Sequence, residues 1–432
     1  MEKNIINKFF HKVLQGSEFK KNLLTLMSGT AIAQLIPILC APLLTRLFSP
    51  DEFGVYENFM AITAIITIFI SGKYELAIIL PKRNQEAINV LSLSCILALS
   101  FSLILLFLFL IFEKPISSFL SSILNGGDFQ NVLWLVPMSA FLATIYLVFN
   151  EWCIRKKSFI ILSKNKITNT SGITGGSLLF GFTKTSSGLI FGQIIGQLIS
   201  SSLAIYRVLK EDLYLFKYVT IRKMKYFSRR YLDFAKYNIP GQFLNTLAGR
   251  LPIFFITMEF GIHEVGLFAL TDRVLGVPLS FLGNTFKDVF KQRATHDYNN
   301  TGNCLAIYRK TTLTLLKIVI IPFIILFIIA PSLFSFIFGA EWYVAGEYAR
   351  LLCVMYMISF ISMPTSWIFI IAEKQKLDLF WQSLFLLLTL TSLIIGMVLD
   401  DIKATLILFC IGRSLAYLIQ IGLTYRLAKG KK

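Results

Sequence analysis

Apolar residues in this chain come in stretches of twenty or more, each closed by charges or turn-forming residues, and the stretches recur from one end to the other. Each is long enough to cross roughly 30 Å of hydrocarbon as an α-helix. Twelve spans are predicted, at 23–47, 55–80, 87–112, 132–152, 158–182 and 186–209, then 232–258, 265–290, 311–334, 344–371, 379–399 and 404–423. The fifth carries Lys164, Asn165 and Lys166 near its start and the eighth contains Asp272 and Arg273, so these two depart furthest from an unbroken apolar pattern. The predicted fold is all-α and membrane-embedded.

The spans fall into two sets of six. Glu52-Phe53-Gly54-Val55-Tyr56 after the first span resembles Glu264-Val265-Gly266-Leu267-Phe268 after the seventh, 212 residues on, and Gly29 meets Gly241 at the same offset. Internal repeats of equal helix number are a common way to build a transporter. The expected organisation is a cytoplasmic N-terminal segment (1–22), a first lobe (23–209), a basic linker (210–231), a second lobe (232–425) and a short tail (426–432). Residues 1–22 mix Lys and Asn with Phe9, Phe10 and Val13, which fits an interfacial amphipathic helix or a plain cytosolic tail.

Charge fixes the expected orientation. The 432 residues are 55% hydrophobic and only 15% charged, yet 42 Lys and Arg stand against 24 Asp and Glu, a net charge of +18. In a soluble protein such an excess would point to nucleic acid. Here the cations gather in loops and span ends: 31 on the side of the N-terminus and three (Lys114, Lys184 and Lys403) on the other. Cytoplasmic loops carry that excess, so both termini are expected in the cytoplasm and no nucleic-acid partner is expected. The six cysteines lie singly and the three histidines are scattered, with no metal-like spacing, nucleotide loop or catalytic motif. No cofactor, metal or enzymatic activity is expected.

Eight cations remain near or inside spans: Arg46, Lys73, Lys236, Arg250, Arg273, Lys317, Arg350 and Arg413. Arg46 and Lys236 can snorkel, and Lys317 and Arg350 can either snorkel or line a cavity. Arg250, Arg273 and Arg413 sit deeper, with Lys73 beside them. A deep arginine costs about 2.5–3.5 kcal/mol to insert, so it should face an interior or a watery cavity. Guanidinium forks suit phosphate oxygens, and this set is the candidate anion-binding site. The intramembrane acids are fewer. Glu57 and Asp272 are candidate H⁺ or Na⁺ coupling sites, and Asp272 could instead neutralise Arg250. Nine prolines fall within the spans, and Gly172-x3-Gly176 and Gly188-x3-Gly192-x3-Gly196 allow close helix packing.

Three early stretches, Ser28-Gly29-Thr30-Ala31-Ile32-Ala33-Gln34, Leu44-Thr45-Arg46-Leu47-Phe48-Ser49-Pro50-Asp51-Glu52-Phe53-Gly54 and Gly72-Lys73-Tyr74-Glu75-Leu76-Ala77-Ile78-Ile79-Leu80-Pro81, resemble the polysaccharide-transporter family. That family includes the Wzx-type O-antigen and capsule repeat-unit flippases, within the MATE-like MOP superfamily. The resemblance implies twelve helices in two lobes and an ion-coupled flippase of the bacterial inner membrane. It implies a lipid-linked oligosaccharide on undecaprenyl diphosphate as cargo, and membrane lipid and polysaccharide polymerase or assembly proteins as partners. Where other members often read Arg before Tyr-Glu, this chain has Lys73, which keeps the charge and loses the fork. The alternatives are a MATE-like organic-cation antiporter, which should need an acidic cavity, another lipid-linked precursor flippase, a non-transporting membrane scaffold, which leaves the two halves unexplained, and a glycan polymerase, which should carry a larger outward loop.

Overall fold

The computed structural model describes residues 18–116, 118, 132–185, 187–232 and 234–430. The expected N-terminal interfacial helix lies, up to residue 17, outside the described residues. Among them are twelve helices of 21 residues or more: α1 (Glu18–Leu47), α2 (Pro50–Ile70), α3 (Asn84–Ile111), α4 (Leu135–Arg155), α5 (Phe159–Phe182), α6 (Gly188–Asp212), α7 (Ile239–Phe260), α8 (Ile262–Thr301), α9 (Leu305–Phe338), α10 (Tyr343–Thr365), α11 (Gln375–Val398) and α12 (Ile402–Ala428). No strand occurs among the described residues. A short basic helix, Ile221–Arg230, sits between α6 and α7.

Ten of these segments are apolar enough to cross a bilayer, and α5 and α7 fall short of that measure. In α5 Ser163, Asn165 and Lys166 turn to protein, while Lys164 is exposed. Ser163 Oγ donates to the Thr25 carbonyl at 2.8 Å, Lys166 Nζ to Thr30 Oγ1 at 3.0 Å, and Asn165 Nδ2 to Asn150 Oδ1 at 2.9 Å. A lysine within a span is tolerable on these terms, because its ammonium finds an acceptor inside the protein. The opposite extreme is α3 and α9, where only 17% of each apolar stretch is buried, against 67% in α4. Helices that are apolar yet outward-facing are wetted by lipid. The chain is a multi-pass membrane protein.

The described residues fall into two compact units. One holds those in Met1–Leu47, Phe59–Leu120 and Asp128–Leu247; the other holds those in Phe48–Asn58 and Ala248–Lys432. In the first, α5 and α6 meet at glycines. A Cβ on Gly172 would touch the Gly196 backbone at 3.2 Å, and one on Gly176 the Gly192 backbone at 3.0 Å, so the small-residue spacings read in the sequence are a helix contact. In the second, α11 and α12 make the same kind of contact: a Cβ on Gly412 would lie 2.9 Å from the Leu388 carbonyl.

The two units repeat one another in detail. In the first, Ser139 Oγ of α4 donates to Gln197 Oε1 of α6 at 2.9 Å. In the second, Ser362 Oγ of α10 donates to Gln420 Oε1 of α12 at 2.6 Å. Both bonds are buried and both join residues 58 apart.

Candidate substrate-binding site

In the second unit the start of α2 crosses α8, and the local sequence dictates how α2 begins. Ser49 and Glu52 form a capping box, with the Ser49 N–H donating to Glu52 Oε2 at 2.9 Å and the Glu52 N–H to Ser49 Oγ at 3.4 Å. Pro50 occupies the first helical position, where its missing N–H is harmless. Gly54 then lets α2 ride against the Ile262 carbonyl, and Gly266 lets α8 ride against the Pro50 carbonyl, closer than any Cβ would permit. The pairs Pro50 and Ile262, Asp51 and His263, and Gly54 and Gly266 are each 212 residues apart, and Asp51 Oδ2 lies 3.3 Å from His263 Nδ1. Within the second unit, the starts of α2 and α8 therefore meet through residues that correspond in the repeat.

One turn further along α2, the crossing presents Asn58 and Glu57. Asn58 is fully buried, donating to Thr257 Oγ1 at 2.9 Å and accepting from the same hydroxyl at 3.0 Å. Glu57 faces two arginines. Arg273 Nη2 of α8 donates to its Oε1 at 3.0 Å, and Arg250 Nη1 of α7 lies 3.8 Å from its Oε2. Arg273 also stacks over the rings of Phe53 and Tyr56, with its Cζ 5.6 and 5.9 Å from their centroids. Two cations on one carboxylate leave one positive charge over, and the aromatic faces help to hold it.

Arg413 on α12 supplies another. Its Cζ lies 4.6 Å from the Phe409 ring centroid and 5.0 Å from that of Phe385. Its Nη2 donates to the Ala248 carbonyl at 3.3 Å. That acceptor exists because Pro252, four residues on in α7, has no N–H to give it. The Nε of Arg413 is buried without a partner, and among the described residues no carboxylate lies within ion-pair reach of this side chain. Arg350 answers a similar vacancy. Its Nε donates to the Phe327 carbonyl at 2.9 Å, the acceptor that Pro331 leaves open in α9, which makes it a structural arginine.

Asp272 does not neutralise Arg250 in this structure. Its carboxylate accepts the phenol of Tyr356, and one two-turn step back along the same helices Glu264 accepts the phenol of Tyr348. These two rungs, each between residues 84 apart, tie α8 to α10, and Thr271 adds a 2.8 Å bond to the Ala345 carbonyl.

Lys73 sits elsewhere, in the first unit. After α2 ends, Gly72 and Lys73 both adopt the left-handed conformation (φ +60 and +61°), and a 3₁₀ turn, Tyr74–Ile79, follows. The break brings together residues too close in sequence to meet on a continuous helix. Lys73 Nζ lies 3.6 Å from Glu75 Oε1, and Ser71 donates to the other carboxylate oxygen. Both side chains are nearly enclosed, so the lysine's charge is answered locally.

The structure thus brings Glu57, Arg250 and Arg273 together, places Arg413 among aromatic rings in the same unit, and gives Asp272 and Lys73 partners of their own. The residues missed from sequence were the aromatic ones: Phe53, Tyr56, Tyr356, Phe385 and Phe409. A signal for one existed, since Glu264 and Asp272 on α8 and Tyr348 and Tyr356 on α10 share a spacing of eight. Among the described residues no three His, Cys, Asp or Glu side chains gather as metal ligands.

Solved structures place this architecture. The chain is similar to the lipid II flippase MurJ in an inward closed conformation (TM-score 0.73, 10% identity, covering 94% of this chain and 89% of that one). It is similar to an inward-facing multidrug resistance MATE family transporter of the MOP superfamily (0.66, 15%, 91% and 94%). It is also similar to a MOP superfamily transporter from Pyrococcus furiosus, described as having a binding pocket of reversed polarity (0.62, 16%, 96% and 97%). At these identities the likeness establishes the fold. No curated protein matches the sequence. The family model described as "Polysaccharide biosynthesis protein" matches residues 43–347, well over half of the chain and the stretch that holds the α2–α8 crossing, and the chain belongs to that family, on the twelve-helix MATE-like fold of MOP transporters.

Proposed function

We propose that the protein flips an undecaprenyl-diphosphate-linked oligosaccharide, an O-antigen or capsule repeat unit, across the bacterial inner membrane by alternating access. Membership of a polysaccharide biosynthesis family on a transporter fold supports the class. The observation that carries the cargo is Arg413, a half-buried guanidinium held by two rings and a carbonyl, with no carboxylate of its own among the described residues. Such a cation is an anion site awaiting its anion, and a diphosphate offers oxygens at the spacing a fork takes in pairs. Arg273 and Arg250 join it by exchanging Glu57 for phosphate. Lys73, the fourth cation expected to bind an anion, is paired with Glu75 and can do so only by releasing it.

Coupling to H⁺ or Na⁺ is assigned to the acids. Both oxygens of Glu57 are engaged by guanidinium groups, whereas Asp272 holds a single phenol, so Asp272 is the more available carboxylate. Alternating access is carried by the lobes at 23–209 and 232–425, joined in sequence by the linker at 210–231; both termini lie in the cytoplasm, and a polymerase and assembly proteins act on the cargo after it has crossed. An organic-cation antiporter would need the opposite charge balance around Arg413.

The test is flipping of a lipid-diphosphate oligosaccharide in proteoliposomes containing the full chain, beside complementation of a deletion strain. Wild type is expected to move the cargo and restore surface polysaccharide, while Arg413→Ala leaves repeat units trapped inside at equal protein level. Full activity in the Arg250→Ala, Arg273→Ala, Arg413→Ala triple variant would overturn the cationic site.

A further inference from the structure

The segment between α6 and α7 is no loose tether. Tyr74 Oη donates to the Ser228 carbonyl at 2.8 Å, and Asn89 accepts from the Thr220 N–H at 3.0 Å while donating to the Tyr218 carbonyl at 3.3 Å. Thr220 caps the helix Ile221–Arg230 by accepting from the Lys223 N–H at 3.3 Å. One side chain, Phe227, is buried in the first unit's core and stacks on Tyr231 at 5.9 Å. The helix is therefore fixed in place with a single apolar anchor.

Its remaining surface has an unusual composition. Arg222, Lys223, Lys225, Arg229 and Arg230 are all exposed, five cations in ten residues, and none has an ion-pair partner among the described residues. Beside them Ile221 is 81% exposed and Tyr226 55% exposed. Arg222, Lys225, Tyr226, Arg229 and Arg230 line an open basin of about 560 Å³, within which Arg230 donates to Tyr226 Oη at 3.2 Å. Fixed cations interleaved with exposed apolar and aromatic side chains, on a short helix at the end of membrane spans, match the headgroup zone of an acidic leaflet. The phosphates meet the cations, and the isoleucine and tyrosine reach the acyl boundary.

We infer that the Ile221–Arg230 helix is a docking surface for acidic phospholipid, with a headgroup phosphate seated in the basin between Arg222, Lys225, Arg229 and Arg230. The site is separate from the interior arginines and does not depend on what the protein transports. It adds a lipid requirement, with the anionic surface holding the linker helix to the membrane.

The test is native mass spectrometry of the full chain, purified in a non-ionic detergent and equilibrated with mixed micelles of phosphatidylglycerol and phosphatidylcholine in equal amounts. Wild type is expected to retain phosphatidylglycerol at least about fivefold over phosphatidylcholine, a preference that falls at about 0.5 M salt. The Arg222→Gln, Lys225→Gln, Arg229→Gln, Arg230→Gln variant should fall to near parity. The charge-keeping Arg222→Lys, Arg229→Lys, Arg230→Lys variant, which guards against a folding artefact, should keep the preference. An unchanged preference in the glutamine variant would overturn the assignment. So would displacement of phosphatidylglycerol by inorganic pyrophosphate at matched ionic strength, which would make the basin a site for soluble phosphate.

Discussion

Arginines in this protein divide by what answers them, and that division is visible only at the level of single atoms. Arg350 satisfies a carbonyl opened by Pro331, Arg273 is bonded to Glu57, and Arg413 holds a carbonyl and two rings with its Nε unanswered. From sequence the position of Arg250, Arg273 and Arg413 was legible, because a charge inside an apolar run stands out. Their partners were not, since Glu57 and Arg273 are 216 residues apart and no local pattern connects them. Removing the carboxylate should leave two guanidiniums facing each other. Glu57→Gln is therefore expected to lower stability by about 2 kcal/mol, read as a fall in the thermal midpoint of the detergent-solubilised protein. Arg413→Lys keeps the charge and loses the fork, so it should restore flipping only in part relative to Arg413→Ala, in the proteoliposome assay. Outside the spans, Cys304 is 1% exposed, and burial, with Asp297 nearby, pushes its thiol up to about 11. At pH 8 it stays a protonated thiol, and a maleimide should label it only after denaturation.

Helix pairs carry the next level of specification, and here glycine decides. Gly29 and Gly241 look equivalent in the repeat, as do Gly54 and Gly266, yet only the second pair has matching surroundings, since a Cβ on Gly29 would run into Ser163. A Cβ on Gly241 would meet nothing within 4 Å, whereas one on Gly54 or Gly266 would run into a backbone carbonyl of the opposite helix. Sequence supplied the offset but not the contact, because a repeat says which residues correspond and not which of them touch. Gly241→Ala should be neutral or stabilising by up to about 1 kcal/mol, through helix propensity alone. Gly54→Ala and Gly266→Ala must each push α2 and α8 apart, and each should lower the thermal midpoint and depress flipping. If either matches Gly241→Ala in both measurements, the α2–α8 crossing is looser than described.

Over the whole chain, the strongest signal in the sequence was the one the membrane imposes. Apolar runs must match the hydrocarbon thickness, so twelve spans could be counted, and the described residues contain twelve long helices. Span ends were less legible: the eighth span, read as 265–290, is the forty-residue α8, Ile262–Thr301, because a helix leaving the bilayer can continue on polar residues that hydropathy ignores. The second span, read as 55–80, instead breaks at Gly72 and Lys73, where a left-handed backbone that no hydropathy pattern reveals turns the chain. Orientation rests on a separate physical quantity, the side on which cations collect. The linker helix, the Lys291 ammonium 3.9 Å from the Trp367 ring centroid and the Arg309 and Lys429 cations over Tyr425 belong to segments expected on the cytoplasmic side from their charge, while Lys114, Lys184 and Lys403 belong to segments expected on the other. Insertion machinery reads that asymmetry as it is synthesised, so the topology should respond to charge more than to any packing contact. Reporter fusions after residues 230 and 432 should therefore be active only as cytoplasmic reporters, and a fusion after Lys184 only as a periplasmic one. The reverse pattern at 230 would place the linker helix on the opposite face, and the lipid it meets would be that of the outer leaflet.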